Sequence, residues 1–205
     1  MPTETFFRLP EEKRERIVNA AWEEFCGVSY ADVSINRIIR AAEIPRGSFY
    51  QYFADKDDLF LYLIEGARKF ALEGYLGVLR ACSGDMVRAA LAAYDEVRRA
   101  WGTSELLPVR RCFDFARQNP GMDFQKYLSR PGDEALLDPV WEAIDTERLR
   151  RRDLPYVRVA FQLCILALGS VVMDFMARPE HGETNRSVLE EQIKIIEYGC
   201  KEDIT

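Results

Sequence analysis

The sequence predicts an all-α protein built in two parts, and three observations carry that prediction. Apolar residues recur at helical spacing along most of the 205 residues. Sustained alternation of apolar and polar residues, the pattern of a half-buried strand, is absent. Turn-forming clusters such as Ser83-Gly84, Asn119-Pro120-Gly121 and Pro131-Gly132 break the chain at intervals that suit helices. With 48% hydrophobic and 30% charged residues, the chain has enough apolar material for a sizeable core.

The first helix is expected to start at Pro10, where proline followed by Glu11 and Glu12 suits the positive end of the helix dipole. Ile17, Ala20, Ala21 and Phe25 form its buried stripe, and Gly27 ends it. Ser34 reads as the N-cap of a short second helix in which Ile35, Ile38, Ile39 and Ala42 keep helical spacing. Ala42-Glu43-Ile44-Pro45 breaks that pattern, and Arg46 to Phe53 forms a third helix. A fourth, capped by Asp55 and opening at Lys56, runs through Leu59, Leu63, Ala67, Phe70 and Tyr75 towards Leu79. After the cap at Asp85, further helices are expected near 85–101, 104–118, 133–148, 153–177 and 185–202, with Asp133 capping the third of them. Pro108 and Pro139 fall inside two of these spans, so those helices start later or are kinked. The boundary between the parts falls within the fourth helix, giving 1–68 and 69–205.

A formal net charge of −6 argues against a protein that coats nucleic acid nonspecifically, but recognition depends on the local field. Between Val33 and Lys56 the basic Arg37, Arg40, Arg46 and Lys56 outnumber Glu43 and Asp55, so this segment is positive inside an acidic chain. Cys26, Cys82, Cys112, Cys164 and Cys200 are scattered without a Cys-x-x-Cys, which reads as reduced, buried thiols rather than a disulfide framework or zinc site. The N-terminal stretch lacks the apolar core of a signal peptide. The longest apolar stretch, 159–173, is too short to span a bilayer, so a cytoplasmic protein without a membrane partner is expected. No phosphate-binding glycine loop, nucleophile elbow or metal-ligand cluster is present, and the lone His181 lies in a polar turn. Neither catalytic residues, nor a metal, nor a cofactor is expected.

The segment RGSFYQYF places four aromatics in eight residues. Phe49 and Phe53, four apart, share one face and belong to the core. Tyr50 and Tyr52 point about 200° apart, so they cannot share a face. The outward side is then Arg46, Gly47, Ser48, Gln51 and one or both tyrosines, a surface suited to phosphates and base edges. Lys56 is a cation in the first turn of a helix, where it opposes the macrodipole unless an anion lies nearby.

Residues 10–62 resemble the helix-turn-helix of TetR-type transcriptional regulators. The usual order is a hydroxyl cap, Ile-Ala, Ala-Gly-Val, a small residue with Leu-Tyr-x-x-Phe, and a Lys opening the next helix. Here those slots hold Ser34, Ile38-Ile39, Ala42-Glu43-Ile44, Ser48 to Phe53, and Lys56. The resemblance implies an N-terminal three-helix DNA-binding domain followed by a larger helical ligand-binding and dimerisation bundle. It implies a homodimer that binds a double-stranded operator, with Ser34, Tyr50, Tyr52 and Lys56 near the DNA backbone. Arg37 lies one turn into its helix, within reach of the backbone, and Gln51 faces a base edge. Glu43 stands where the family places glycine, at a site expected to need positive φ, and Pro45 replaces the usual hydroxyl cap.

The family's usual switch is a small-molecule effector in the second part. Tyr94, Trp101, Phe113, Phe115, Tyr127, Trp141, Phe161 and Met173 are the large apolar groups available to line such a site, and they equally suit a filled core. For the dimer, one stripe of Val157, Phe161, Ile165, Leu168 and Val172 and another of Leu189, Ile193, Ile196 and Cys200 are the expected interface, or else internal core. The function expected is a repressor released from a palindromic operator, with activation left open. The alternative is a helical interaction module that has lost DNA binding.

Overall fold

The computed structural model describes residues 1–122 and 134–200, and every regular element among them is helical. The helices are α1 (Glu4–Phe7), α2 (Glu11–Gly27), α3 (Ile35–Ala41), α4 (Arg46–Tyr52), α5 (Lys56–Ala81), α6 (Met86–Ala100), α7 (Leu107–Gln118), α8 (Glu134–Ala143), α9 (Leu154–Ala177) and α10 (Gly182–Cys200). Asp133, expected as a cap, lies outside the described residues.

The local signals act much as physical chemistry requires. Pro10 occupies the N-cap of α2, and its carbonyl accepts from the Arg14 N–H at 3.1 Å. Asp55 accepts from the Asp58 N–H at 2.8 Å, capping α5. Asp85 accepts from the N–H groups of Val87 and Arg88 and so caps α6. Before that cap the chain turns through Gly84 at φ +79°, where an added Cβ would lie 2.4 Å from the Ala143 carbonyl oxygen, so no side chain fits. Pro108 falls in the first turn of α7, where a missing N–H costs nothing, whereas Pro139 sits inside α8.

The contacts divide the chain into two units. The first comprises Met1–Phe70 together with Pro108–Arg130; the second comprises Ala71–Leu107 with Pro131–Thr205. The division falls within α5, between Phe70 and Ala71, and α7 belongs to the first unit. The reason is aromatic packing. Phe115 of α7 is fully buried, with its ring 4.5 Å from Phe60 and 6.1 Å from Phe25. Phe6, Ile17, Ile38, Phe49, Phe53 and Ile64 complete the same core. Phe6 comes from α1, which is too short to show periodicity and has no counterpart in the expected elements.

In the second unit α6, α9 and α10 pack against one another. Tyr94, Ala89, Ala90, Cys164, Val171 and Leu189 lie at the centre, joined by Val140 of α8 and Leu79 of α5. Helix α9 has 24 residues and is long and apolar enough to cross a membrane by length and composition, unlike the 15-residue stretch on which the sequence argument rested. One of its faces, with Val157, Ala160, Phe161, Cys164, Ala167 and Val171, is buried in this unit. The other carries Val159, Leu163, Leu166 and Met173, all exposed.

Candidate nucleic-acid interface

Helix α4 is seven residues long, and a helix that short holds its shape through what it packs on. Phe49 is fully buried, and its ring lies 5.7 Å from that of Phe53. The last turn is tied from outside: the Thr3 N–H donates to the Tyr52 carbonyl at 3.0 Å and the Thr3 hydroxyl to the Gln51 carbonyl at 2.6 Å. These bonds satisfy two of the carbonyls that a helix end leaves open. Arg46, Gly47, Tyr50 and Gln51 are exposed and Ser48 is half-buried, so the outward face expected from the spacing is present.

Tyr52 is a correction. Only 4% of it is exposed, and its ring packs 6.1 Å from that of Phe6, so it faces the core rather than the backbone of a ligand. Of the two tyrosines Tyr50 alone points out, 49% exposed, as their angular separation demanded.

The turn before α4 contains Glu43 at φ +52°, the left-handed conformation expected of the glycine it replaces. The Arg16 guanidinium donates to the Ala42 carbonyl at 3.1 Å, closing the C-terminal end of α3. Pro45 stands at the N-cap of α4 with φ −62° and supplies no side-chain bond. Arg46 instead reaches back, donating to Asn36 Oδ1 at 2.8 Å, which fixes the start of α4 against α3.

Ser34 occupies the N-cap of α3, but its hydroxyl makes no capping bond, contrary to expectation. Its N–H donates instead to Glu24 Oε1 at 2.8 Å. The same carboxylate takes the Arg37 guanidinium, with Nε 2.9 and 2.8 Å from its two oxygens. Arg37 beside it holds the Glu24 carboxyl below the ordinary carboxylate range, outweighing the burial that would raise it. Arg37 also donates to the Asp32 carbonyl at 2.6 Å, so this exposed side chain is braced against the protein surface.

Lys56 has internal partners as well. Its ammonium donates to the Tyr30 carbonyl at 2.9 Å and sits 4.8 Å from the centre of the Tyr30 ring. A carbonyl dipole and a π face offset the repulsion of the helix start, so part of the apparent misfit of Lys56 is relieved without any ligand. Glu24, Tyr30 and Thr3, which position these groups, had no signal in the sequence beyond the aromatic that follows Gly27 and Ser29.

The residues expected to line an effector site do not come together. Phe113 and Phe115 belong to the first unit, where Phe115 fills the aromatic core. Met173 is 49% exposed, and Tyr127 lies outside the described residues. The others form two groups in the second unit. The Tyr94 hydroxyl donates to the Gly182 carbonyl at 3.0 Å, and the Tyr94 and Trp101 rings both meet Phe175 edge-on. Trp141 meets Phe161 edge-on at 5.1 Å, and Phe161 meets Tyr75 at 5.7 Å. The Trp141 indole N–H is buried and finds no acceptor among the described residues. A cleft of about 360 Å³ in this unit is lined by Arg80, Ser83, Gly84, Pro139 and Glu142, none of them an expected effector residue.

The pattern of bacterial regulatory proteins of the tetR family matches residues 17–63. The chain is 46% identical over 57 residues to the HTH-type transcriptional regulator HbdR of Aromatoleum sp. (strain CIB), which is 27% of this chain and 25% of that one. It is 39% identical over 51 residues to the transcriptional regulator AcuR of Cereibacter sphaeroides, which is 25% of this chain and 23% of that one. The chain thus spans about a quarter of the length of each of these relatives. Over 95% of its length it has the fold of native NalD, the secondary repressor of the MexAB-OprM multidrug efflux pump in Pseudomonas aeruginosa, at 21% identity, TM-score 0.61 and complete coverage of that chain. Residues 17–63, which hold most of α2 and all of α3 and α4, are thus similar to the helix-turn-helix segment of the tetR family of bacterial regulatory proteins.

Proposed function

We propose that this protein is a sequence-specific DNA-binding transcriptional regulator, a homodimeric cytoplasmic repressor released from a palindromic operator by a small-molecule effector. The observation that carries the reading is the division of α4: Phe49 and Tyr52 are buried, while Arg46, Gly47, Tyr50 and Gln51 are exposed on a seven-residue helix with the outward chemistry of a groove reader. Gln51 takes a base edge, and Tyr50, Ser48 and Lys56 take phosphates. Ser34 and Arg37 lie at the start of α3, with Arg37 held in place by Glu24. A Cβ at Gly47 would meet nothing of the protein within 4 Å, so internal packing does not require glycine there, whereas a duplex lying close against the helix does.

The dimer follows from α9 and α10. Val159, Leu163, Leu166 and Met173 on one, with Val188, Ile195 and Tyr198 on the other, are exposed at helical spacings of three, four and seven residues. Such stripes on helices that pack side by side suit a second copy of the same pair, giving a four-helix interface. This face replaces Val157, Phe161, Leu189 and Ile193, which are buried within the unit. For the effector, support comes from the Trp141 group: a buried indole N–H without a partner among the described residues is costly, and a ligand acceptor beside it would recover that cost.

The test is a gel-shift series over salt with duplexes selected from random sequence. Lys56→Ala should weaken every duplex alike and lower the salt slope by about 0.9. Gln51→Ala should relax preference at one base position per half-site, by about 1–3 kcal/mol. A chain that binds no duplex at low salt would be the interaction module instead. Compounds that raise the melting temperature, retested for release of the selected duplex, test the effector.

A further inference from the structure

We propose that Tyr30 and Asn119 are positioning residues for the phosphate contact of Lys56, a role that rests on the DNA-binding reading above. A lysine on its four-carbon stem is ordinarily a mobile charge, yet the first turn of α5 is gripped by one residue at three points. The Tyr30 carbonyl accepts from Lys56 Nζ at 2.9 Å, the Tyr30 ring lies 4.8 Å beneath that ammonium, and the Tyr30 hydroxyl donates to Asp57. One of the ammonium's three donors goes to the carbonyl, which leaves donors for an anion at the helix start.

Tyr30 itself is held from a distant part of the chain. It lies in the short turn Tyr30–Asp32 between α2 and α3, which the Asp32 N–H closes by donating to the Ser29 carbonyl at 2.9 Å. Its N–H donates to Asn119 Oδ1 at 2.7 Å, across 89 residues of sequence. Asn119 is fixed in turn, because its Nδ2 donates to the Phe115 carbonyl at 2.9 Å at the end of α7. The Tyr30 ring meets Phe25, Phe60 and Phe115 at 6.0, 5.3 and 6.1 Å, so the aromatic core sets its plane. The end of α7 thereby orients the peptide that orients Lys56. Neither Tyr30 nor Asn119 need touch DNA.

The experiment uses the full chain and a duplex selected by the wild type, with affinity measured over a range of salt. Asn119→Ala and Tyr30→Leu should each weaken binding by up to about eightfold at 0.1 M salt and lower the slope by about 0.9, as loss of one phosphate contact does. In a Lys56→Ala background both should add little, because the contact they position is already gone. Tyr30→Phe keeps ring and carbonyl and should keep the wild-type slope. Thermal melts check folding, and if Tyr30→Leu does not fold, the half-buried Asn119→Ala carries the test. Losses that add fully to that of Lys56→Ala, or an unchanged slope in Asn119→Ala, overturn the inference while leaving DNA binding intact. A wild-type chain that selects no duplex overturns the DNA-binding reading and this role with it.

Discussion

The short helix α4 and the core helix α9 show two ways in which a helix takes its orientation. Helix α4 has polar residues and glycine on one side and aromatic rings on the other, so burying Phe49 and Phe53 leaves it a single orientation. Helix α9 is apolar on nearly every side, and burying Val157, Ala160, Phe161 and Cys164 leaves Val159, Leu163 and Leu166 facing outward. The first pattern specifies a face by its own composition. The second specifies only that the helix is covered, and its neighbours decide which part is covered by what.

The largest effect that sharpens this contrast is expected in the aromatic core. Phe60 is fully buried, with the rings of Phe115, Phe25 and Tyr30 at 4.5, 5.0 and 5.3 Å. Phe60→Ala should cost about 3–5 kcal/mol, since the rings around the gap come from α2, α7 and a turn and cannot all close in. Urea unfolding followed by far-ultraviolet dichroism measures it, and a loss below about 1 kcal/mol would mean the core is far more yielding than these contacts imply.

Helix α9 should behave in the opposite sense. Leu166 is 61% exposed, so Leu166→Glu has little to disrupt within the chain. If the face is a dimer interface, the charge is buried without a partner there at a cost of about 3 kcal/mol or more. That is at least about a hundredfold in the dimer dissociation constant. Sedimentation at micromolar concentration should show half the wild-type mass. An unchanged dimer would move the interface elsewhere.

The smallest effect lies in the turn. Glu43 at φ +52° carries about 1–2 kcal/mol of strain. Glu43→Gly removes it but adds about 0.5–1 kcal/mol of unfolded-chain entropy, so a net gain of about 0.5–1 kcal/mol is expected. Its ion pair with Arg16, at 4.0 Å on the surface, contributes little. A lowered urea midpoint would show that the side chain has a partner worth more than the strain.

Much of the first unit was legible because its signals are local. Asp55 caps the helix that follows it, Glu43 takes the positive φ of the glycine slot, and Phe49 and Phe53 point inward four residues apart. Each depends on atoms within a few residues, so composition and spacing suffice. The stripe of α9 that suited either an interface or internal core is core at Val157 and Phe161, a choice spacing could not make because Val159, Leu163 and Leu166 recur at helical spacing too. Periodicity discriminates faces only when the opposite face is polar.

By itself, then, the sequence determined the helical class, most caps and turns, and the outward face of α4, since those follow from backbone hydrogen bonding and the polarity of near neighbours. Tertiary structure alone decided that α7 joins the first unit, that α1 fastens the end of α4 through Thr3, and that Tyr52 turns inward against Phe6. It also decided that Lys56 is held by Tyr30 and Tyr30 by Asn119. These contacts join residues between 26 and 89 positions apart, and a contact across such a span leaves no local trace in the order of residues, because closing the chain between its partners depends on everything packed around them.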